Sequence, residues 1–172
     1  MMVRCSILVG LVAACVTVSL LTAQSAAPPV ESVSFYGNPK SPISSGVVVP
    51  AGHRILLTSG TVPPISNKDA PAGSPERYGD THEQAFGIFK SIESQLQAQS
   101  LTLSDVIYLR VYVVADSHRG GKPDFEGFFR AYGEFFGTDA NPTKPARSTL
   151  AVAALVNPDW LIEIEAVAVK RD

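Results

Sequence analysis

Pro145-Ala146-Arg147-Ser148-Thr149-Leu150 and, after Asn157-Pro158, Leu161-Ile162-Glu163-Ile164-Glu165-Ala166-Val167-Ala168-Val169 close the chain with two strand-like runs. Side chains alternate across a strand with period two, so Glu163 and Glu165 are expected on one face of the last strand. Read as neighbouring strands, the two runs set an arginine beside a carboxylate. A guanidinium presents a rigid fork of donors suited to bidentate capture of a carboxylate, and a glutamate in apolar surroundings can position water. The pair therefore suggests chemistry on small carboxylic acids. Arg147 also has a structural reading, an ion pair with Glu163 or Glu165.

Upstream, Val47-Val48-Val49 and Ile55-Leu56-Leu57-Thr58 flank the turn formers Pro50 to Arg54 and predict a hairpin whose second strand ends on Ser59-Gly60. The polar stretch from Pro63 to Gly79 reads either as a functional loop or as a mobile one. Asp80 or Thr81 can cap the helix that follows, with Glu83 three residues after Asp80, and Ala85, Ile88, Phe89, Ile92 and Leu96 recur at helical spacing. Val106 to Val114 is β-branched and aromatic, with Arg110 its only charge, and predicts a central strand buried on both faces. A second helix is expected to start at Asp124, to carry Phe125, Phe128, Phe129, Tyr132, Phe135 and Phe136, and to stop at Gly137. With strands over Ser148 to Leu155 and Leu161 to Val169, the order is β-β-α-β-α-β-β. That is an α+β sheet with two helices on one face, and its other apolar face needs a partner.

At 172 residues and 45% apolar content the chain has room for one domain with a substantial core. Arg4, the apolar run from Ile7 to Leu21 and the small residues Ala23 to Ala27 have the layout of a secretory signal over residues 1–25, with an extended lead-in over 26–45 and the domain over 46–172. A membrane anchor is disfavoured because the apolar run falls short of the ~20 residues of a spanning helix. A lipobox reading of Val12-Ala13-Ala14-Cys15 is disfavoured by the apolar residues that follow. The expected location is periplasmic or secreted, with no stable membrane association after signal removal. Cys5 and Cys15 both fall in the segment to be removed, which leaves no cysteine for disulfides, thiolate chemistry or metal ligation. Loss of Arg4 leaves 13 basic against 16 acidic residues, a net charge of −3 without a basic footprint for nucleic acid. His53, His82 and His118 are isolated and show no metal-ligand spacing.

Pro145-Ala146-Arg147-Ser148-Thr149, the Glu163-Ile164-Glu165 strand and Thr58-Ser59-Gly60 together resemble the RidA/YjgF (Rid) family of enamine/imine deaminases, also known as L-PSP endoribonucleases, over roughly Pro42 to Val169. The resemblance implies a homotrimer whose sheets form a central barrel, with sites in the clefts between subunits, and it implies no cofactor. It assigns Arg147 to the substrate carboxylate and Glu163 to the attacking water. Ser59 and Gly60 lie beside the substrate, and Thr149, where a cysteine is common, contacts it through backbone. The ligand is then a small imino or keto acid. Two departures bear on substrate choice: Ile43 stands where a tyrosine is frequent, and Phe129 where a polar residue is common, which makes the cleft more apolar. The competing reading is a non-catalytic trimer that binds small carboxylates through Arg147. Ribonuclease activity ranks last, because an acidic chain offers little to phosphates.

Overall fold

The computed structural model describes residues 32–171; the signal-type segment 1–25, with Cys5 and Cys15, lies outside them. Helix α1 (Thr81–Gln97) begins where the sequence caps it. The Asp80 side chain accepts from the Glu83 N–H while the Glu83 side chain accepts from the Asp80 N–H, so two orphan donors of the first turn are satisfied reciprocally. Its apolar face, Ala85, Ile88, Phe89, Ile92 and Leu96, is fully buried. Helix α2 (Phe125–Phe135) is capped by Asp124, which accepts from the Gly127 N–H, and it ends two residues before Gly137, whose φ is +71°. The helices meet through aromatic rings: Phe89 of α1 lies 5.1 Å from Phe135 and 5.6 Å from Phe136, centroid to centroid. Truncating so enclosed a ring as Phe89 to alanine typically costs about 3–5 kcal/mol.

Beneath the helices lies the main sheet. Strand β3 (Ile55–Leu57) pairs antiparallel with β7 (Ile162–Val169), β7 pairs antiparallel with β4 (Val106–Asp116), and β4 pairs parallel with β6 (Ala146–Val152). The order β3-β7-β4-β6 puts β3 at one edge and β6 at the other. The short β5 (Lys122–Pro123) attaches only to the end of β4. Leu109, Val111 and Val113 of β4 with Ile162, Ile164 and Ala166 of β7 face the helices and join their core.

Three expectations are corrected. The first concerns the hairpin: β2 (Gly46–Val48) pairs with β1 (Ser34–Tyr36), not with β3. Ser34–Tyr36 lies in the stretch read as lead-in, and it takes β2 while β3 continues the main sheet and sets Leu56 against the core. The second concerns the two C-terminal strands, which are not neighbours. The β4-α2-β6 crossover delivers β6 parallel to one side of β4, and β7 occupies the other side.

The third concerns β4, which is buried on one face only in the single chain. Arg110 is exposed and pairs with Glu165 of β7, Nη1 to Oε2 2.8 Å. The same face carries Leu57, 71% exposed, and Leu150, 46% exposed. The helices thus cover one face of the sheet and leave the other half-covered, as the element order predicts.

Candidate active site

Arg147 sits on the edge strand β6 opposite Leu109 of β4, and paired residues of parallel strands share a face, so its side chain points to the helices. There α2 receives it with rings. The guanidinium carbon lies 4.4 Å from the Tyr132 ring centroid, 4.9 Å from Phe128 and 5.1 Å from Phe129. Each such cation–π contact is worth about 0.5–2 kcal/mol depending on desolvation. Arg147 Nη1 is sealed from solvent and has no hydrogen-bond acceptor among the described residues. Burial pushes the guanidinium down from its usual range, opposed by Tyr132, yet an arginine so placed remains a cation at neutral pH. Thr149, opposite Val111, follows on the same face.

The guanidinium lines a cleft of about 470 Å³ whose wall is Lys40, Ser41 and Pro42, the α2 residues Phe129, Tyr132, Gly133 and Phe136, then Gly137 and Lys144. Phe129, 41% exposed, contributes the apolar surface expected of it. Ile43 does not line this cleft; it packs against the core, and the wall at that point is Lys40, Ser41 and Pro42. A phenol is nonetheless present. Tyr132 Oη donates to the Pro42 carbonyl at 3.0 Å, and burial pushes its pKa up to about 12, with Arg147 pulling the other way. The loop carrying Pro42 is tied down nearby, because Ser44 N–H and Oγ both donate to the Lys144 carbonyl.

Glu163 belongs to the other half. It stands opposite Tyr112 of β4, on the open face with Glu165 and Arg110. Glu165 is engaged by Arg110 and by Tyr112 Oη at 3.3 Å, whereas no hydrogen bond or ion pair from the described residues reaches the Glu163 carboxylate. That carboxylate rests against Gly60, where an added Cβ would meet Glu163 Oε1 at 1.7 Å. The chain is anchored on both sides of this contact. Thr58 N–H donates to the Ala166 carbonyl, while Thr61 and Ile164 exchange hydrogen bonds, and Ser59-Gly60 spans the gap between them.

The residues singled out in the sequence therefore fall into two groups. Arg147 and Thr149 lie at the β6 edge, facing the helices; Ser59, Gly60 and Glu163 lie at the β3-β7 edge, with Glu163 on the open face. Arg147 makes no ion pair with Glu163 or Glu165, so the structural reading of Arg147 as their salt-bridge partner does not hold in the chain. Among the described residues, no group of three His, Cys, Asp or Glu side chains is placed to hold a metal ion. The Pro63 to Gly79 loop is folded back on itself, Arg77 donating to the Ala70 carbonyl and Gly73 N–H to Asp159 Oδ2, and it contributes nothing to the Arg147 cleft.

Residues 39–170 match the family described as Endoribonuclease L-PSP. The chain belongs to the RidA/YjgF family. This Rid-family chain is 33% identical over 117 residues to the 2-iminobutanoate/2-iminopropanoate deaminase of Salmonella typhimurium, covering 68% of this chain and 80% of that one. It is 37% identical over 93 residues to a RutC family protein of Pyrococcus horikoshii, of which it spans 65% for 54% of its own length. The crystal structure of a Rid-family protein of unknown function from Yersinia pestis superposes with a TM-score of 0.60 at 25% identity, over 81% of this chain and 99% of that one.

Of the polar side chains that line the cleft, Lys40, Ser41, Tyr132 and Lys144 were not read from the sequence as site residues. Tyr132 carried a signal as part of the aromatic stripe, but one that points to core, where it also is. The other three converge only through tertiary contacts and left no local mark.

Proposed function

We propose that the protein hydrolyses reactive enamine/imine acids to 2-keto acids and ammonia, as a homotrimer working outside the cytoplasm once the leader is removed. The observation that carries this reading is the Arg147 guanidinium, stacked on three rings and, among the described residues, unpaired and lining a cleft without a carboxylate. A cation so held is preorganised for an anionic substrate group, because its desolvation has already been met by the fold. The name of the 33% identical Salmonella relative supports the reaction class.

Sheet order supports the assembly. Arg147 sits at the β6 edge and Glu163 with Ser59-Gly60 at the β3-β7 edge, so a head-to-tail ring sets one copy's arginine beside the next copy's carboxylate. The half-covered open face, with Leu57 and Leu150, would turn to the ring's interior. In the resulting cleft Arg147 holds the substrate carboxylate and the Glu163 carboxylate orients water against the imine carbon. The water oxygen forms the new C–O bond, its protons pass to nitrogen, the C–N bond breaks and ammonia leaves. No change of oxidation state occurs, and no cofactor is required.

The test is the hydrolysis rate of enzymatically generated 2-iminopropanoate and 2-iminobutanoate by the mature protein, alongside Arg147→Ala and Glu163→Ala. Acceleration that both substitutions abolish is the expected result. Binding of 2-keto acids through Arg147 with no imine turned over would leave the site as a carboxylate-binding module.

A further inference from the structure

Resting on the reading that Arg147 holds the carboxylate next to the reacting carbon, we propose that the substrate is a dicarboxylic imino acid whose second carboxylate is taken by Lys40 and Lys144. The ten residues of the cleft wall include three cations and no acid. This runs against the balance of a chain with 14 basic and 16 acidic residues. Elsewhere Lys90 pairs with Glu93, Arg110 with Glu165 and Arg119 with Asp80 and Asp124, while the remaining basic side chains of the described residues are dispersed rather than gathered around one cavity. None of the three cleft cations makes an ion pair with a described residue. Even Glu134, beside the wall residue Gly133, is taken up by His82 of α1 at 2.6 Å.

Three like charges around one cavity repel one another, and the substrate's first carboxylate on Arg147 together with Glu163 of the next copy still leaves one of them unanswered. Lys144 turns its ammonium toward the Lys40 end of the cleft. Its Nζ donates to the Pro39 carbonyl at 3.0 Å, a neutral acceptor that places the ammonium beside the Lys40-Ser41-Pro42 wall without cancelling its charge. The part of the cleft built by one chain is also wider than the smallest substrate needs. A three-carbon imino acid of six heavy atoms fills at most roughly 180 Å³ at a water's share of volume per atom, against about 470 Å³ here. Pro42, Phe129 and Phe136 supply apolar wall for the methylenes of a longer side chain, and the lysines supply the counter-charge for its acidic end.

The test compares two imines of equal carbon count generated by amino-acid oxidases, 2-iminopentanedioate and 2-iminopentanoate. Their kcat/KM values are measured on the mature protein, on the double variant Lys40→Gln/Lys144→Gln and on the charge-preserving Lys40→Arg/Lys144→Arg. We expect the diacid to be favoured by about fivefold or more at low salt, an advantage that shrinks as ionic strength rises, each lysine contributing roughly two- to fivefold. The glutamine variant brings the ratio near one, and the arginine variant restores it. A ratio at or below one in the wild type, or a ratio kept by the glutamine variant, overturns the proposal while leaving imine hydrolysis intact.

Calorimetric binding of 2-oxopentanedioate and 2-oxopentanoate to the same three proteins separates the two readings. A lysine-dependent preference for the dicarboxylic keto acid, 2-oxopentanedioate, without turnover of either imine removes the deaminase assignment and supports recognition of the second carboxylate. Equal binding of the two acids counts against it.

Discussion

Arg147 and Glu163 project from opposite faces of one sheet, on strands held apart by β4. Arg147 reaches under α2, Glu163 rests on Gly60, and no side-chain rotation brings the two onto one ligand within a single chain. A reaction that uses both has to draw them from different copies.

Mixing two inactive variants tests this directly. Arg147→Ala and Glu163→Ala each lack one half of every site, but a ring refolded from an equal mixture contains some junctions where an intact arginine meets an intact glutamate. Random assortment gives about a quarter of wild-type activity for a head-to-tail ring. Activity that stays at the level of the separate variants would place the site within one copy.

Gly60→Ala is expected to remove activity and spare the fold. The new methyl would sit 1.7 Å from Glu163 Oε1 and 2.6 Å from Cδ, so the carboxylate has to move, and as the end of a flexible side chain it can do so cheaply. Displacing a water-positioning group by an ångström or more costs about 10²-fold in rate. The expected result is kcat/KM down by about that factor with a denaturation midpoint close to wild type. A variant that retains full rate would separate Glu163 from the chemistry.

Local signals in the sequence reached the structure intact, and long-range ones did not. The Asp80–Glu83 capping box, the Ala85 to Leu96 stripe and the Asp124 cap each depend on residues within a few positions, and all three are present as read. Strand partners depend on competition across the chain. Val47 and Ile55 flank a good turn, yet each found a better partner in Phe35's strand and in β7. The same distinction divides the site. Arg147, Glu163, Ser59, Gly60 and Thr149 were legible through a motif, but which edge and face each occupies follows from β4 lying between β6 and β7. Lys40 and Lys144 share a wall because Ser44 binds the Lys144 carbonyl 100 positions away, a contact without a sequence signature.

Tyr132 predicts a loss of stability in alkali. Burial lifts its phenol from 10.0 to about 12 in the folded chain. The folded state therefore keeps this proton at pH values where the unfolded chain has released it, and stability falls as pH rises from 10 through 12. Below pH 10 the contribution is complete. With part of the linkage lost to solvent screening, the expected fall is about 1–2 kcal/mol. Urea midpoints at pH 9 and pH 11.5 for wild type and Tyr132→Phe measure it. The phenylalanine variant, which also lacks the bond to the Pro42 carbonyl, should start lower and decline less. Parallel declines would show that Tyr132 does not titrate as described.

Arg147→Met should separate what the arginine does for function from what it does for folding. The guanidinium loses solvation on burial, which pushes its pKa down, and Nη1 has no acceptor among the described residues; against this stand contacts with the Tyr132, Phe128 and Phe129 rings. Methionine keeps much of that packing, since thioether–aromatic contacts are also favourable, and it removes the buried charge. Stability is therefore expected within about 1 kcal/mol of wild type, on either side. Imine hydrolysis and keto-acid binding are expected to vanish. If instead the variant unfolds by several kcal/mol, as it would after loss of a structural cation, Arg147 serves the fold and the cleft needs another anchor for its ligand. A stable, inactive variant places the arginine among residues kept for the ligand rather than for the fold.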